Sequence, residues 1–163
     1  MNVTRIENDS AVSEEEKWME LALEQARVAF ALGEVPVGAV LVKDNEPIAA
    51  AHNECMALGL ATKHAEIVVL EAVEKELGRR FLPDCTLYVT MEPCPMCAGA
   101  CVNAHLGKIV FGTPDPVSGA CGSVINVSSY PLLYRPSVKG GVLSTEAKTL
   151  LQDFFKSKRK EER

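Results

Sequence analysis

Nowhere in the 163 residues does an apolar run approach the ~18 needed to cross a bilayer. The opening stretch, Met1-Asn2-Val3-Thr4-Arg5-Ile6-Glu7, has no hydrophobic segment, so no secretory signal is expected and the chain is read as cytoplasmic. Positive charge is also in short supply. The 17 Lys and Arg stand against 22 Asp and Glu, a formal charge of −5, which makes the chain a poor generic binder of polyanions. Aromatic residues are sparse at 6%, Trp18 is the single tryptophan, and there are no internal repeats. Apolar residues, by contrast, reach 47%, which suits a packed core and excludes global disorder. The length fits one domain.

Cysteine is plentiful: Cys55, Cys85, Cys94, Cys97, Cys101 and Cys121. An even count suits disulfides in short secreted chains, but three of these crowd between positions 94 and 101. That crowding favours a metal site in a reducing compartment. Charge is unevenly placed, with acids concentrated in residues 1–25 and Lys156, Lys158, Arg159, Lys160 and Arg163 at the other end. The basic end either supplies local attraction for phosphate or complements a helix dipole, and both readings stand.

The pattern predicts a layered α/β domain. Residues 1–12 read as a flexible lead-in, 13–158 as a single domain and 159–163 as a basic tail. Ser13 and Glu16 form a capping box that opens a helix with Trp18, Leu21, Ala22, Ala29 and Leu32 on its apolar stripe, stopped by Gly33. Val35–Val42 and Pro47–Ala51 read as strands joined at Asp44-Asn45, a hairpin. After a loop near 53–62, a helix over roughly 63–77 carries Ile67, Leu70, Val73 and Leu77. Cys85–Thr90 reads as a buried strand, followed by a small-residue helix to about His105 and a short strand at Lys108–Phe111. Residues 112–141 read as a long loop with a little structure inside, and Thr145 to about Lys158 as a closing amphipathic helix.

Two segments carry chemistry: His64-Ala65-Glu66 and Pro93-Cys94-Pro95-Met96-Cys97. Two thiolates and one imidazole make three zinc ligands and leave a fourth position open, as in catalytic rather than structural sites. Water bound at such a position has its pKa lowered to about 7. Cys94 and Cys97, three apart at a helix start, share a face, and helix N-termini favour thiolates. His64 and Glu66 are two apart, about 200° around a helix, and serve one site only if it lies over the helix end. The predicted start near Lys63 places them there. Glu66 is then a nonligand carboxylate able to take and return a proton. Each piece alone has a blander reading: His-x-Glu is common, and Cys-x-x-Cys is also redox-active or structural. Cys94, Cys97 and Cys101 resemble an iron–sulfur run, but no partner run exists elsewhere. Cys101, Cys55, Cys85 and Cys121 read as small buried residues, and His52 and His105 as structural or exposed. The combined H-x-E and P-C-x-x-C signature is that of zinc nucleobase deaminases, in which activated water attacks the carbon bearing the amino group and ammonia leaves.

From Trp18 to Arg159 the chain resembles the tRNA-specific adenosine deaminases. The resemblance lies in Glu34-Val35-Pro36-Val37-Gly38-Ala39-Val40, Thr86-Leu87-Tyr88-Val89-Thr90-Met91-Glu92-Pro93-Cys94, Phe111-Gly112 with Asp115 and Gly119, and Asp153-Phe154-Phe155. It implies a three-layer α/β/α cytidine-deaminase-like fold around a central five-stranded mixed sheet, and conversion of adenosine to inosine at the tRNA wobble position. It further implies one zinc per chain on His64, Cys94 and Cys97, Glu66 as proton shuttle, and substrate contacts at Asn53, Val35, Ala65 and Asp115. The implied partners are the anticodon arm and a second copy of the chain, or an inactive relative in a heterodimer. No membrane is implied. Pro114 stands where family members often carry a basic residue, Lys63 where many have a small one, and Leu133-Tyr134-Arg135 near the place of a familiar Asn-His pair. The competing readings are a deaminase of free bases, nucleosides or nucleotides by the same chemistry, and a structural zinc module or inactive partner subunit.

Overall fold

The computed structural model describes residues 12–132 and 134–163, so most of the expected lead-in, residues 1–11, and Leu133 lie outside the described residues. Helix α1 spans Glu14–Ala31. Ser13 is its N-cap, and the Ser13 hydroxyl oxygen accepts the Glu16 N–H at 3.2 Å, the half of the expected capping box that satisfies an orphan donor. Strands β1 (Gly38–Lys43) and β2 (Glu46–His52) form the expected hairpin. Its turn residues Asp44 and Asn45 have φ of 50° and 60°, the left-handed conformation that a two-residue hairpin loop demands and that Asp and Asn tolerate. The short helix α2 is Cys55–Leu58, α3 Ala65–Leu77, β3 Cys85–Met91, α4 Pro95–Asn103 and β4 Lys108–Thr113. Strand β5, Ser137–Lys139, and α5, Ser144–Glu161, complete the order.

The sheet runs β2-β1-β3-β4-β5, with β1 antiparallel to both neighbours and β3, β4 and β5 mutually parallel. This is the expected α/β/α fold with a five-stranded mixed sheet. Alternation along the strands builds two cores, one on each face. Val40, Val42, Tyr88 and Val110 face Trp18, Met19 and Ala22 of α1. Leu41, Leu87, Val89, Ile109 and Phe111 face Val69, Leu70 and Val73 of α3 and Cys101 and Ala104 at α4. Central strands buried on both faces explain why their sequences are almost uninterruptedly apolar.

Several local expectations are corrected. Val35 and Val37 precede the strand, which begins only at Gly38. Leu32 is the C-cap of α1 and is exposed, because the helix ends before its stripe comes round again. The buried stripe of α3 is Ala65, Glu66, Val69, Leu70 and Val73; Leu77, in its last turn, is exposed. Of the apolar residues Leu150, Leu151, Phe154 and Phe155 expected on the closing amphipathic helix, Phe155 is exposed, one residue round from buried Phe154. Helix α5 runs on to Glu161 and takes in Arg159 and Lys160. Among the described residues no helix is long and apolar enough to cross a membrane.

Candidate active site

Helices α3 and α4 start at the same end of the sheet, beyond the C-terminal ends of β2 and β3. His64 is the N-cap of α3 and Cys94 the N-cap of α4, with Pro95 in the first turn where its missing N–H costs nothing. Cys97 follows one turn on and is fully buried. The His64 Nδ1 lies 3.6 Å from the Cys94 sulfur and 3.5 Å from that of Cys97. Among the described residues these three form a candidate metal group, their ligand atoms all within 4.8 Å of one another. Two sulfurs and an imidazole nitrogen form a donor set suited to zinc, with a position left open. A hydrogen bond from the Cys97 thiol, together with His64, pulls the Cys94 thiol down to about 4. The same bond holds the Cys97 proton on far more tightly than usual. His64 is shifted upward, chiefly by its hydrogen bond to Cys94.

Glu66 sits in the first turn of α3, 4% exposed, and is not one of the candidate ligands. Burial pushes its carboxyl up to about 7, which favours a group that both accepts and releases a proton near neutrality.

A cavity of about 210 Å³ opens above this cluster. It is lined by seven of the eight residues expected from the sequence: Val35, Asn53, His64, Ala65, Glu66, Cys94 and Asp115. The eighth, Cys97, lies behind the wall. Asn53 is buried, its side-chain oxygen accepting the Cys55 N–H at 3.3 Å just ahead of α2. Asp115 accepts from the Val117 N–H at 2.9 Å, the Ser118 N–H at 3.2 Å and the Ser118 hydroxyl at 2.7 Å. Burial tends to raise its carboxyl, yet these donors hold it below the ordinary value. Met91 at the pocket wall also lines a second cavity of about 470 Å³, bordered by Lys148, Phe155, Lys156 and Arg159 of α5.

Sequence reasoning missed two buried acids. Glu34, 1% exposed, accepts the N–H groups of Met56 at 3.0 Å and Ala57 at 2.6 Å, tying the segment that leads into Val35 to helix α2. Glu92, 3% exposed, lines the pocket beside Cys94. Both stand inside stretches that carried the family resemblance, Glu34-Val35-Pro36-Val37 and Met91-Glu92-Pro93-Cys94, but neither was singled out there as a site residue. His105 proves to be structural, its ring stacked between Phe81 at 4.1 Å and Tyr134 at 4.6 Å.

A family model for MafB19-like deaminases matches residues 13–159, which sets the class: a deaminase domain. The tRNA-specific adenosine deaminase of Bacillus subtilis (strain 168) is 40% identical over 153 residues, covering 93% of this chain and 95% of its own. That of Agrobacterium fabrum (strain C58) is 41% identical over 149 residues, covering 91% and 98%. A solved structure from studies of A-to-I editing by tRNA:A34 deaminases at the wobble position of transfer RNA superposes with a TM-score of 0.80 at 41% identity, over 82% of this chain and 98% of that one. This chain belongs to the family of tRNA-specific adenosine deaminases.

Proposed function

We propose that the chain is a zinc-dependent hydrolase that converts adenosine to inosine at the wobble position of a tRNA anticodon loop. The observation that carries this reading is the convergence of His64, Cys94 and Cys97 beneath a small pocket with the nonligand Glu66 beside them. His64, Cys94 and Cys97 would hold one zinc, which when bound supplies the Lewis acidity that makes hydroxide available at neutral pH. Glu66 takes a proton from the attacking water and passes it to the departing amine. The oxygen of water bonds to the carbon carrying the amino group, the C–N bond breaks and ammonia leaves. Val35 and Ala65 form apolar walls for the base, Asn53 offers its amide to the purine edge, and Asp115 stands near the bound anticodon loop.

The pocket is smaller than the ~300–1,000 Å³ typical of sites that enclose a whole ligand, which suits a single splayed base whose neighbours stay outside. The adjoining cavity offers those neighbours cations at Lys148, Lys156 and Arg159 and an exposed ring at Phe155. Thus an acidic chain presents a basic strip beside its pocket, and this favours RNA over a free nucleoside. A second copy of the chain is the assembly partner on this reading. On this reading the enzyme works in the cytoplasm.

Zinc-replete protein tested on an anticodon stem-loop with adenosine at the wobble position, and in parallel on free adenosine, cytidine and guanine, decides the matter. We expect kcat/KM on the stem-loop to exceed that on every free compound by several orders of magnitude. Turnover of a free base or nucleoside with none on the stem-loop would replace the substrate assignment. Silence on all of them with zinc bound would support an inactive subunit.

A further inference from the structure

We propose that Glu92 is a positioning residue that latches the 115–123 loop over the substrate pocket and thereby sets how tightly substrate is held. The inference rests on the deaminase reading above and deepens it. Glu92 directly follows β3 and stands two residues before Cys94. Its backbone N–H binds the Thr113 carbonyl at 2.9 Å, so its position is fixed by the parallel β3–β4 pairing. Its side chain turns into the loop. Oε2 accepts the N–H groups of Cys121 and Ser123, each at 3.2 Å. Oε1 accepts the Ser123 hydroxyl and, at the longer distance of 3.5 Å, the Asp115 N–H.

Four donors saturate this carboxylate, so although it borders the pocket it has little capacity left for substrate or proton transfer. Its work is conformational. The loop it gathers carries Asp115 and Ser118 on the pocket wall, and the Ala120 N–H binds the Pro93 carbonyl at 2.8 Å, stitching the same loop to the residue before Cys94. Gly119 completes the latch. A Cβ there would run into the Glu92 carboxylate and the Asp115 carbonyl, so the close approach requires glycine. The strand end that carries Cys94 toward the metal group is thus the strand end that fixes the substrate-facing loop.

Glu92→Gln keeps the size but replaces one acceptor by an NH₂ group facing backbone donors. Ser123→Ala removes one donor without touching the carboxylate, and serves should Glu92→Gln fail to fold. Each variant is assayed beside the wild type for kcat and KM on the wobble-adenosine stem-loop, for zinc per chain, and for amide hydrogen exchange at Cys121 and Ser123. For Glu92→Gln we expect KM to rise about tenfold with kcat within threefold, one zinc retained and faster exchange at both amides; Ser123→Ala gives the same pattern, smaller. Unchanged KM and exchange in a folded, zinc-bound variant would overturn the latch, as would a fall in kcat that tracks zinc loss. Wild-type inactivity on the stem-loop would instead count against the function, while the exchange measurement still judges the latch.

Discussion

Replacing Glu66 by Gln is the perturbation that most directly separates proton transfer from metal binding. Gln has the same shape and fits the same first turn of α3, and Glu66 is outside the ligand group formed by His64, Cys94 and Cys97. Zinc should therefore remain at one per chain. A positioned general acid–base contributes about 10²–10⁴-fold, or roughly 2.7–5.4 kcal/mol of barrier at 1.36 kcal/mol per tenfold. The side chain is 4% exposed, so bulk water has poor access to take over the shuttle, and the upper half of the range applies. We expect kcat on the wobble-adenosine stem-loop to fall by about 10³-fold or more, with KM within a few-fold. The assay is steady-state kinetics with metal analysis and thermal unfolding on the same preparation. A folded, zinc-loaded Glu66→Gln protein with kcat within tenfold of wild type would refute the assigned role.

Gly38→Ala should destabilise the fold by about 3 kcal/mol, the upper end of overpacking costs. Its Cβ would strike the Ala22 carbonyl and approach within 2.6 Å of the Ala26 nitrogen on α1; a denaturant midpoint within error of wild type would contradict the helix–strand packing. Alanine at Lys156 or Arg159 should reduce the salt dependence of stem-loop binding by about 0.7 in log–log slope for each phosphate left without its cation, measured by titration over a range of salt; an unchanged slope would remove the basic strip from the RNA path. The Asp115 carboxyl lies below its unfolded value of 3.8, so its contribution to loop stability is present above that pH and is lost as pH falls through the folded value. Ser118→Ala should raise the pH at which amide exchange in the 115–118 segment accelerates, and an unaltered acid profile would show the Asp115–Ser118 bond to be immaterial.

Legibility in the sequence followed the range of the forces involved. The α1 cap, the Asp44-Asn45 turn and the placement of His64 and Glu66 at a helix start are decided by neighbours within a few residues, and each was readable. Strand β5 was not, because Ser137–Lys139 is short and only its middle residue is even half-buried. It exists through parallel pairing with β4, a long-range event without a local pattern. Ile67 and Leu77 misled for a related reason: α3 is apolar around most of its circumference, so periodicity alone did not say which face would meet the sheet. Glu34 and Glu92 were the costliest omissions. An isolated acid in a sequence reads as solvated, and the N–H groups that hold these two lie 22 to 31 residues away. The candidate metal group was readable despite its long-range assembly because its residue types are rare and its two halves each open a helix.

The most direct test is to incubate the purified, zinc-replete protein with unmodified total tRNA and map inosine at every position by sequencing. The account predicts inosine confined to wobble adenosines, and none with Glu66→Gln. Inosine scattered through other loops, or its absence while a free base or nucleoside is turned over, would contradict it.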